Sequence, residues 1–138
     1  MTARHDSLVV DTSAIIACCL GEPGYEKLEA ILTSGAHLLM SAPTRLELGI
    51  VAMQRNIEAK VAQALQTYQI QIEAFTEAHS LVALVACARY GKGRHPAALN
   101  FGDCCAYALA KSMNLPLLYK GNHFAQTDIA SAMSVGTA

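Results

Sequence analysis

Four short apolar runs, separated by segments with helical periodicity, constrain the fold of this chain more than any other feature. The runs lie at residues 7–11, 37–43, 70–75 and 115–120, and apolar residues recur at helical spacing between them. Strands that alternate with helices pair in parallel, and the helices cover both faces of the sheet. The sequence therefore predicts an α/β fold, a three-layer α/β/α sandwich with a central, mainly parallel sheet.

The second half of the chain carries clear helix signals. Thr76 is a favourable N-cap for a helix over residues 77–90, because its hydroxyl can bond a free N–H group of the first turn. A loop at 90–100 and a helix over 101–113 are expected to follow. Helical spacing predicts that the core face of the helix over 77–90 consists of Leu81, Leu84, Val85 and Ala88.

Length and composition indicate one globular domain over residues 1–138. Of the 138 residues, 53% are hydrophobic and 15% are charged, which is enough apolar material for a sizeable core. The net charge of −1 excludes a broadly basic nucleic-acid-binding protein, so such contacts would need a local patch. No apolar run approaches the roughly 18 residues of a membrane span. The N-terminus lacks a signal-peptide pattern, and we therefore expect a cytoplasmic protein without membrane segments.

The chain has five cysteines, and four of them form the adjacent pairs Cys18–Cys19 and Cys104–Cys105. Neither these pairs nor Cys87 have the C-x-x-C spacing of a zinc or redox site. We expect all five to pack as small hydrophobic residues of the core in a reducing compartment.

Three carboxylates fall where predicted helices begin. Asp11 ends the first strand, Glu47 lies early in the helix after the second strand, and Asp103 opens the helix over 101–113. Each has a purely structural alternative, since acidic side chains cap helix N-termini or complement the helix dipole. Ligands of parallel sheets, however, bind at the carboxyl ends of the strands. We therefore expect the three side chains to converge there.

Clustered carboxylates indicate a cation, because they repel one another unless one screens them. Oxygen ligands select hard ions such as Mg²⁺ or Mn²⁺, and these ions assist the attack of water on phosphate. The sequence has no Ser-His-Asp arrangement and no phosphate-binding glycine motif. A haloacid-dehalogenase phosphatase is disfavoured because it needs a second acid two residues after Asp11, where Ser13 stands.

Four segments stand in the order and spacing of a known family: VVDTSAIIA, SAPTRLELG, RYGKGRHPAALNFGDCCAYALA and LPLLYKGNHFAQTDIA. The chain resembles a VapC-type PIN-domain ribonuclease over nearly its whole length, and the third segment is the most specific. The resemblance implies a single PIN domain over residues 1–138. It also implies a toxin that cleaves RNA endonucleolytically with Mg²⁺ or Mn²⁺ and is neutralised by a cognate VapB antitoxin. The resemblance implies a homodimer as well, and a heterotetramer or larger assembly when the antitoxin is bound.

The resemblance further implies roles for individual residues. Asp11 and Asp103 would bind the metal directly, and Glu47 would bind it directly or through water. Ser13 would line the site, and activated water would leave 5′-phosphate and 3′-hydroxyl ends. Contacts to the RNA backbone are expected from the basic residues Lys92, Arg94 and Lys120. For Lys92 and Arg94, the alternative is that they simply lie on an ordinary solvated loop.

The chain departs from the family pattern after the last predicted strand, where PIN domains usually carry a fourth acid. The stretch here is KGNHF, which contains Asn122 and His123, and the nearest acid is Asp128. Either Asp128 completes the catalytic set, or Asn122 contributes a neutral oxygen, or a single metal binds well. His123 is a further candidate, although a surface histidine is the favoured interpretation. The departure leaves open a second function, a weakly active or inactive PIN-fold module that acts through its protein partner.

Overall fold

The computed structural model describes residues 6–134. Its strands are β1 (Ser7–Val10), β2 (His37–Ser41), β3 (Gln71–Glu73) and β4 (Leu117–Leu118). Its helices are α1 (Thr12–Leu20), α2 (Tyr25–Leu32), α3 (Ala42–Arg55), α4 (Glu58–Thr67), α5 (Glu77–Tyr90) and α6 (Phe101–Met113). Short 3₁₀ helices lie at Phe124–Gln126 and Ala132–Ser134.

The strands form one four-stranded parallel sheet in the order β3-β2-β1-β4. The predicted sheet is thereby confirmed, with β1 and β2 at its centre. Strand β2 ends at Ser41 because α3 begins at Ala42, with Pro43 in its first turn. Strand β4 is shorter than the predicted run over 115–120 and begins after Pro116, which has no N–H group to donate.

The side chains of alternate strand residues point to opposite faces of the sheet and pack into two separate cores. Leu8 and Val10 of β1 pack into a core with α1, α2, α3 and α4, whereas Val9 packs on the other face with α5 and α6. All three side chains are almost fully buried, as the period of two along a strand requires when both faces are covered. The three-layer α/β/α architecture is therefore confirmed.

Helix α5 has the predicted bounds, but its predicted core face is wrong. Thr76 caps it as expected, accepting a hydrogen bond from the backbone N–H of His79 at 3.3 Å. Ala86 and Tyr90 are the buried residues of the helix. The helix is apolar on nearly every side, so its periodicity does not identify the buried face, and small residues allow α6 to pack closely. The predicted core residues Leu81, Leu84, Val85 and Ala88 are all exposed.

All five cysteines are free thiols. Cys104 and Cys105 are buried and Cys18 and Cys19 are half-buried, as expected, but Cys87 is exposed. The prediction that every cysteine packs in the core is therefore wrong for Cys87, which lines a surface cavity with Cys104 and Cys105. Burial raises the pKa of the Cys104 thiol to about 12, so this buried thiol stays protonated and unreactive.

The helices in the described part of the chain do not include one with the length and apolar character to cross a membrane.

Helix α3 offers a matched pair of leucines for testing this packing. Leu48 is fully buried, whereas Leu46, two residues earlier, is 66% exposed. We expect Leu48→Ala to lower the free energy of unfolding by about 2–5 kcal/mol, because it leaves a cavity in the core. Leu46→Ala should change it by less than about 0.5 kcal/mol. Urea denaturation followed by circular dichroism measures both, and equal effects would contradict the described orientation of α3.

Candidate active site

Asp11 stands at the carboxyl end of β1 and is only 4% exposed. Its backbone N–H donates to the carbonyl of Leu118 in β4 at 2.9 Å. Its Oδ2 accepts hydrogen bonds from the backbone N–H of Ser13 at 3.0 Å and from the hydroxyl of Ser13 at 2.6 Å. The residue is therefore the N-cap of α1, as the structural alternative proposed. Its other oxygen, Oδ1, is buried and receives no hydrogen bond from the described residues.

The environment of Asp11 disfavours its charge. Burial raises its pKa to about 6, against the lowering effect of the two hydrogen bonds from Ser13. The negative charges of Asp103 and Glu47 contribute to the same rise, which indicates that the three carboxylates lie near one another. A cation beside the unpartnered Oδ1 would reverse the effect, because an opposite charge favours ionisation.

Glu47 projects from α3 toward the start of α6. Its Oε1 accepts a hydrogen bond of 2.7 Å from the hydroxyl of Thr12, the first residue of α1. A Cβ atom built at Gly102 of α6 would lie 2.6 Å from Cδ of Glu47, a distance that real contacts do not reach. The carboxylate is thus held between α1 and a glycine of α6, and a side chain at position 102 would displace it.

Asp103 joins the start of α6 to the segment after β4. Its Oδ2 accepts a hydrogen bond from the backbone N–H of Asn100 at 3.1 Å, while the side chain of Asn100 accepts one from the N–H of Asp103 at 2.8 Å. This reciprocal pair is a capping box. The same Oδ2 lies 3.1 Å from Nδ1 of His123. Capping therefore fixes the position of the carboxylate and still leaves its Oδ1 unbonded among the described residues.

A cavity of about 430 Å³ brings these side chains together at the carboxyl edge of the sheet. The expected site residues on its wall are Asp11, Ser13, Glu47, Asp103 and Lys120. The predicted convergence of the three acids is thus found in the structure. Lys120 is held by two hydrogen bonds. Its backbone N–H donates to the Ser13 hydroxyl at 3.0 Å, and its Nζ donates to Oε1 of Glu22 at 3.0 Å.

Sequence reasoning missed two polar side chains on the wall of this cavity, those of Thr12 and Glu22. Thr12 follows Asp11 directly, and a hydroxyl beside a predicted site acid was an available signal. Glu22 lies in the turn after α1 and faces Lys120, which is 98 positions away along the chain. No local pattern indicates a pair so distant in sequence.

Several expected site residues lie elsewhere. The structure does not bring Asp128 to this cavity, because Tyr107 and Lys111 of α6 hold its carboxylate with hydrogen bonds of 2.6 Å and 2.9 Å. Asp128 instead lines a separate cavity with Ser7 and Pro116, at the opposite end of the strands. Three further expected residues are exposed and are not part of the wall: Lys92, Arg94 and Asn122.

The donor set fits a largely hydrated divalent ion rather than a cage of protein ligands. Among residues 6–134, no group of three or more His, Cys, Asp or Glu side chains is arranged to hold a metal ion. The three carboxylates therefore line one cavity without forming the tight cluster that was expected, and Glu47 and Asp103 each accept a hydrogen bond, from Thr12 and Asn100 respectively. One or two carboxylates are nevertheless sufficient for Mg²⁺, which keeps several of its waters. The buried, unpartnered Oδ1 of Asp11 is the oxygen that such an ion would satisfy.

The raised pKa of Asp11 makes a prediction about stability. A carboxyl whose pKa is higher in the folded than in the unfolded protein contributes stability at low pH, and this contribution is lost as pH rises through the folded value of about 6. Asp11→Asn keeps a cap and removes the buried charge. In the presence of a chelator, we expect this variant to be more stable than the wild type by about 1–3 kcal/mol at about pH 8, with no gain below about pH 4.

Denaturant titrations across this pH range measure the difference, and Asp6→Asn is the matched control. Asp6 is exposed just before β1, so the same chemical change there should leave stability within about 0.5 kcal/mol of the wild type. A variant Asp11→Asn that is destabilised equally at every pH would contradict the described burial of the charge.

Comparison with known proteins agrees with this architecture. The model of the PIN domain family matches residues 8–130. The ribonuclease VapC36 of Mycobacterium tuberculosis is 42% identical over 133 residues, which cover 94% of this chain and 96% of the relative. The crystal structure of VapC20 from the same species, described as a sarcin-ricin-loop-cleaving toxin, matches with a TM-score of 0.71 at 14% sequence identity. The match covers 89% of this chain and 96% of the VapC20 chain.

A toxin–antitoxin complex from Klebsiella pneumoniae matches with a TM-score of 0.65 at 19% identity, covering 88% of this chain and 92% of that one. At such identities, the two structural matches support the fold alone. The family match spans most of the chain, and the relative from Mycobacterium tuberculosis spans nearly all of it. The chain therefore belongs to the PIN domain family, among relatives that are VapC ribonucleases.

Proposed function

We propose that this protein is the toxin of a VapBC pair, a cytoplasmic endoribonuclease that depends on Mg²⁺ or Mn²⁺. The observation that carries the proposal is the carboxylate of Asp11, which is buried with one oxygen unpartnered on a cavity shared with Glu47 and Asp103. The relatives at about 40% identity are ribonucleases, which supports RNA as the substrate. The five free thiols agree with a reducing compartment.

The proposed mechanism assigns a task to each residue of the cavity. Asp11 and Asp103 would hold the ion through their unbonded oxygens, and Glu47 would bind it directly or through water. Thr12 orients Glu47 through its 2.7 Å hydrogen bond, and Ser13 fixes the cap that presents Asp11. An ion bound here would supply a Lewis acid for the phosphodiester and for the attacking water, and hydrolysis by that water would leave 5′-phosphate and 3′-hydroxyl ends.

Contacts to the RNA backbone are assigned to the basic side chains around the site. Lys120 lies on the wall of the cavity with its ammonium group held by Glu22 at 3.0 Å, where it can accept a phosphate as a second anionic partner. Lys92 and Arg94 are exposed on the loop that leads into α6, and we assign them to more distant phosphates. Aromatic residues make up only 6% of the chain, which disfavours base stacking as the main source of affinity.

The proposed protein partners are a cognate VapB antitoxin and a second copy of this chain. The relatives at about 40% identity are VapC ribonucleases, which supports a VapB antitoxin as the partner. Helix α5 and the start of α6 expose large apolar side chains, Leu81, Leu84, Val85 and Phe101, with exposures of 58–83%. An apolar face of this kind is typical of an interaction surface, and it supports a homodimer that assembles with antitoxin into a heterotetramer or larger complex.

A second candidate function is an inactive PIN-fold module that acts only by binding its partner. It is favoured by the finding that, in the part of the chain described, no three ligating side chains are grouped around one metal position. Metal-dependent cleavage that is lost on substitution of a cavity carboxylate excludes this candidate. Tight antitoxin binding without cleavage under any divalent ion would support it.

Two aspartates provide the decisive comparison for the proposed activity. We expect Asp103→Asn to lower the rate of Mg²⁺- or Mn²⁺-dependent RNA cleavage by about 10²-fold or more, since it removes a charge that acts on the reacting groups. Asn100 remains the N-cap of α6, and the side-chain oxygen of the new asparagine can still accept the hydrogen bond from its N–H, so the variant should remain folded. Asp128→Asn should retain cleavage, because Asp128 is bound by Tyr107 and Lys111 outside the cavity.

Cleavage of labelled RNA, with the fragment ends identified, measures both variants. Loss of activity in Asp128→Asn but not in Asp103→Asn would contradict the proposed site. Products with 2′,3′-cyclic phosphate ends that form without metal would contradict the proposed mechanism.

The glycine of α6 provides a second comparison. We expect Gly102→Ala to displace the Glu47 carboxylate, which the new methyl group would contact, and to lower cleavage by up to about 10²-fold. Stability should stay within about 1 kcal/mol of the wild type, since alanine favours helix more than glycine and the tip of Glu47 can move.

Gly49→Ala is the matched control, because a Cβ atom there would meet only the side chain of Arg45, at 3.3 Å. Cleavage assays and thermal unfolding together separate the two effects. Full activity in Gly102→Ala would show that the position of Glu47 is irrelevant to catalysis.

A further inference from the structure

His123 stands beside the proposed metal site rather than free at the surface. Its Nδ1 lies 3.1 Å from Oδ2 of Asp103. Half of its side chain is exposed, at 55%, whereas Asp103 is only 13% exposed. The imidazole therefore lies at the border between the acidic cavity and solvent, with a ring nitrogen turned toward a carboxylate of the wall.

The segment that carries His123 is anchored on both sides. Before it, the N–H of Lys120 donates to the Ser13 hydroxyl at 3.0 Å, which ties the backbone to the residue that caps Asp11. After it, Phe124 is buried at 3% exposure and packs on the ring of Tyr119 with centroids 5.2 Å apart. The short distance to Asp103 is thus a consequence of a fixed backbone, not of a free loop.

We propose that His123 supplies a nitrogen ligand to the divalent ion held at Asp103, and that it makes the site favour a first-row transition ion such as Mn²⁺ over Mg²⁺. The inference rests on the proposed metal-dependent function and names a further ligand of the same site. Residues 119–126 contain no carboxylate, so an imidazole is the strong donor that this side of the cavity offers.

The geometry is compatible with a shared ion. Nδ1 of His123 lies 3.1 Å from Oδ2 of Asp103, so the ring is close enough to reach an ion held by Oδ1, the other oxygen of the same carboxylate. The buried, unpartnered Oδ1 of Asp11 on the same cavity is an independent sign of a missing positive partner. Imidazole binds transition ions well, whereas Mg²⁺ prefers oxygen ligands.

Pulsed electron paramagnetic resonance of Mn²⁺ tests this ligand without relying on activity. With the full chain, first metal-free and then loaded with Mn²⁺, we expect hyperfine coupling to a directly bound ¹⁴N nucleus. The coupling should vanish in His123→Asp. Competition titrations should show that the preference for Mn²⁺ over Mg²⁺ falls by about 10-fold or more in this variant.

His37→Asp is the matched control, because His37 is exposed at the first residue of β2, at the opposite end of the sheet. It should retain both the nitrogen coupling and the metal preference. His123→Asn serves as a second variant that adds no charge, and circular dichroism verifies that each protein is folded.

The outcomes distinguish this inference from the function on which it rests. Mn²⁺ binding that Asp11→Asn abolishes, but without nitrogen coupling in the wild type, would overturn the role of His123 and leave the metal site in place. Coupling that persists in both His123 variants would overturn it as well. A wild-type protein that neither binds Mn²⁺ nor cleaves RNA would overturn the proposed function itself.

Discussion

The architecture of this protein depends on a carboxylate that is withdrawn from water at the end of a central strand. Asp11 is held by a backbone hydrogen bond to β4 and by two hydrogen bonds from Ser13. The Ser13 hydroxyl also accepts a hydrogen bond from the N–H of Lys120. These contacts connect β1, α1 and the segment after β4. Asp11, whose charge is disfavoured by burial, therefore also fixes the arrangement of the segments at the carboxyl edge of the sheet.

Much of the site follows from a simple topological rule. Residues that end a parallel strand, begin the helix after it, or begin a helix that leads back into the next parallel strand lie at the carboxyl edge of the sheet. Asp11, Glu47 and Asp103 could therefore be placed together from strand and helix order alone, and the structure has them on one cavity. The capping alternatives were also correct for Asp11 and Asp103, because one carboxylate can bond a helix terminus with one oxygen and leave the other free.

What the sequence could not predict depends on contacts between distant segments. Helix α5 is apolar on nearly every side, and only the packing of α6 against Ala86 and Tyr90 determines which side is buried. Asp128 was a candidate for the catalytic set because it is the nearest acid after the last strand, but its carboxylate accepts hydrogen bonds from Tyr107 and Lys111. The pairing of Glu22 with Lys120, and of His123 with Asp103, likewise became visible only in three dimensions.

The capping box at Asn100 and Asp103 means that the first turn of α6 and one wall of the cavity are built from the same residues. Helix ends open far more often than whole domains do. When this turn frays, Asp103 leaves its position while the buried residues further along the helix, such as Leu109, remain packed. Under the proposed mechanism, such fraying would interrupt catalysis for short intervals without unfolding the protein, so that the lifetime of the assembled cavity would be limited by the lifetime of a single helical turn.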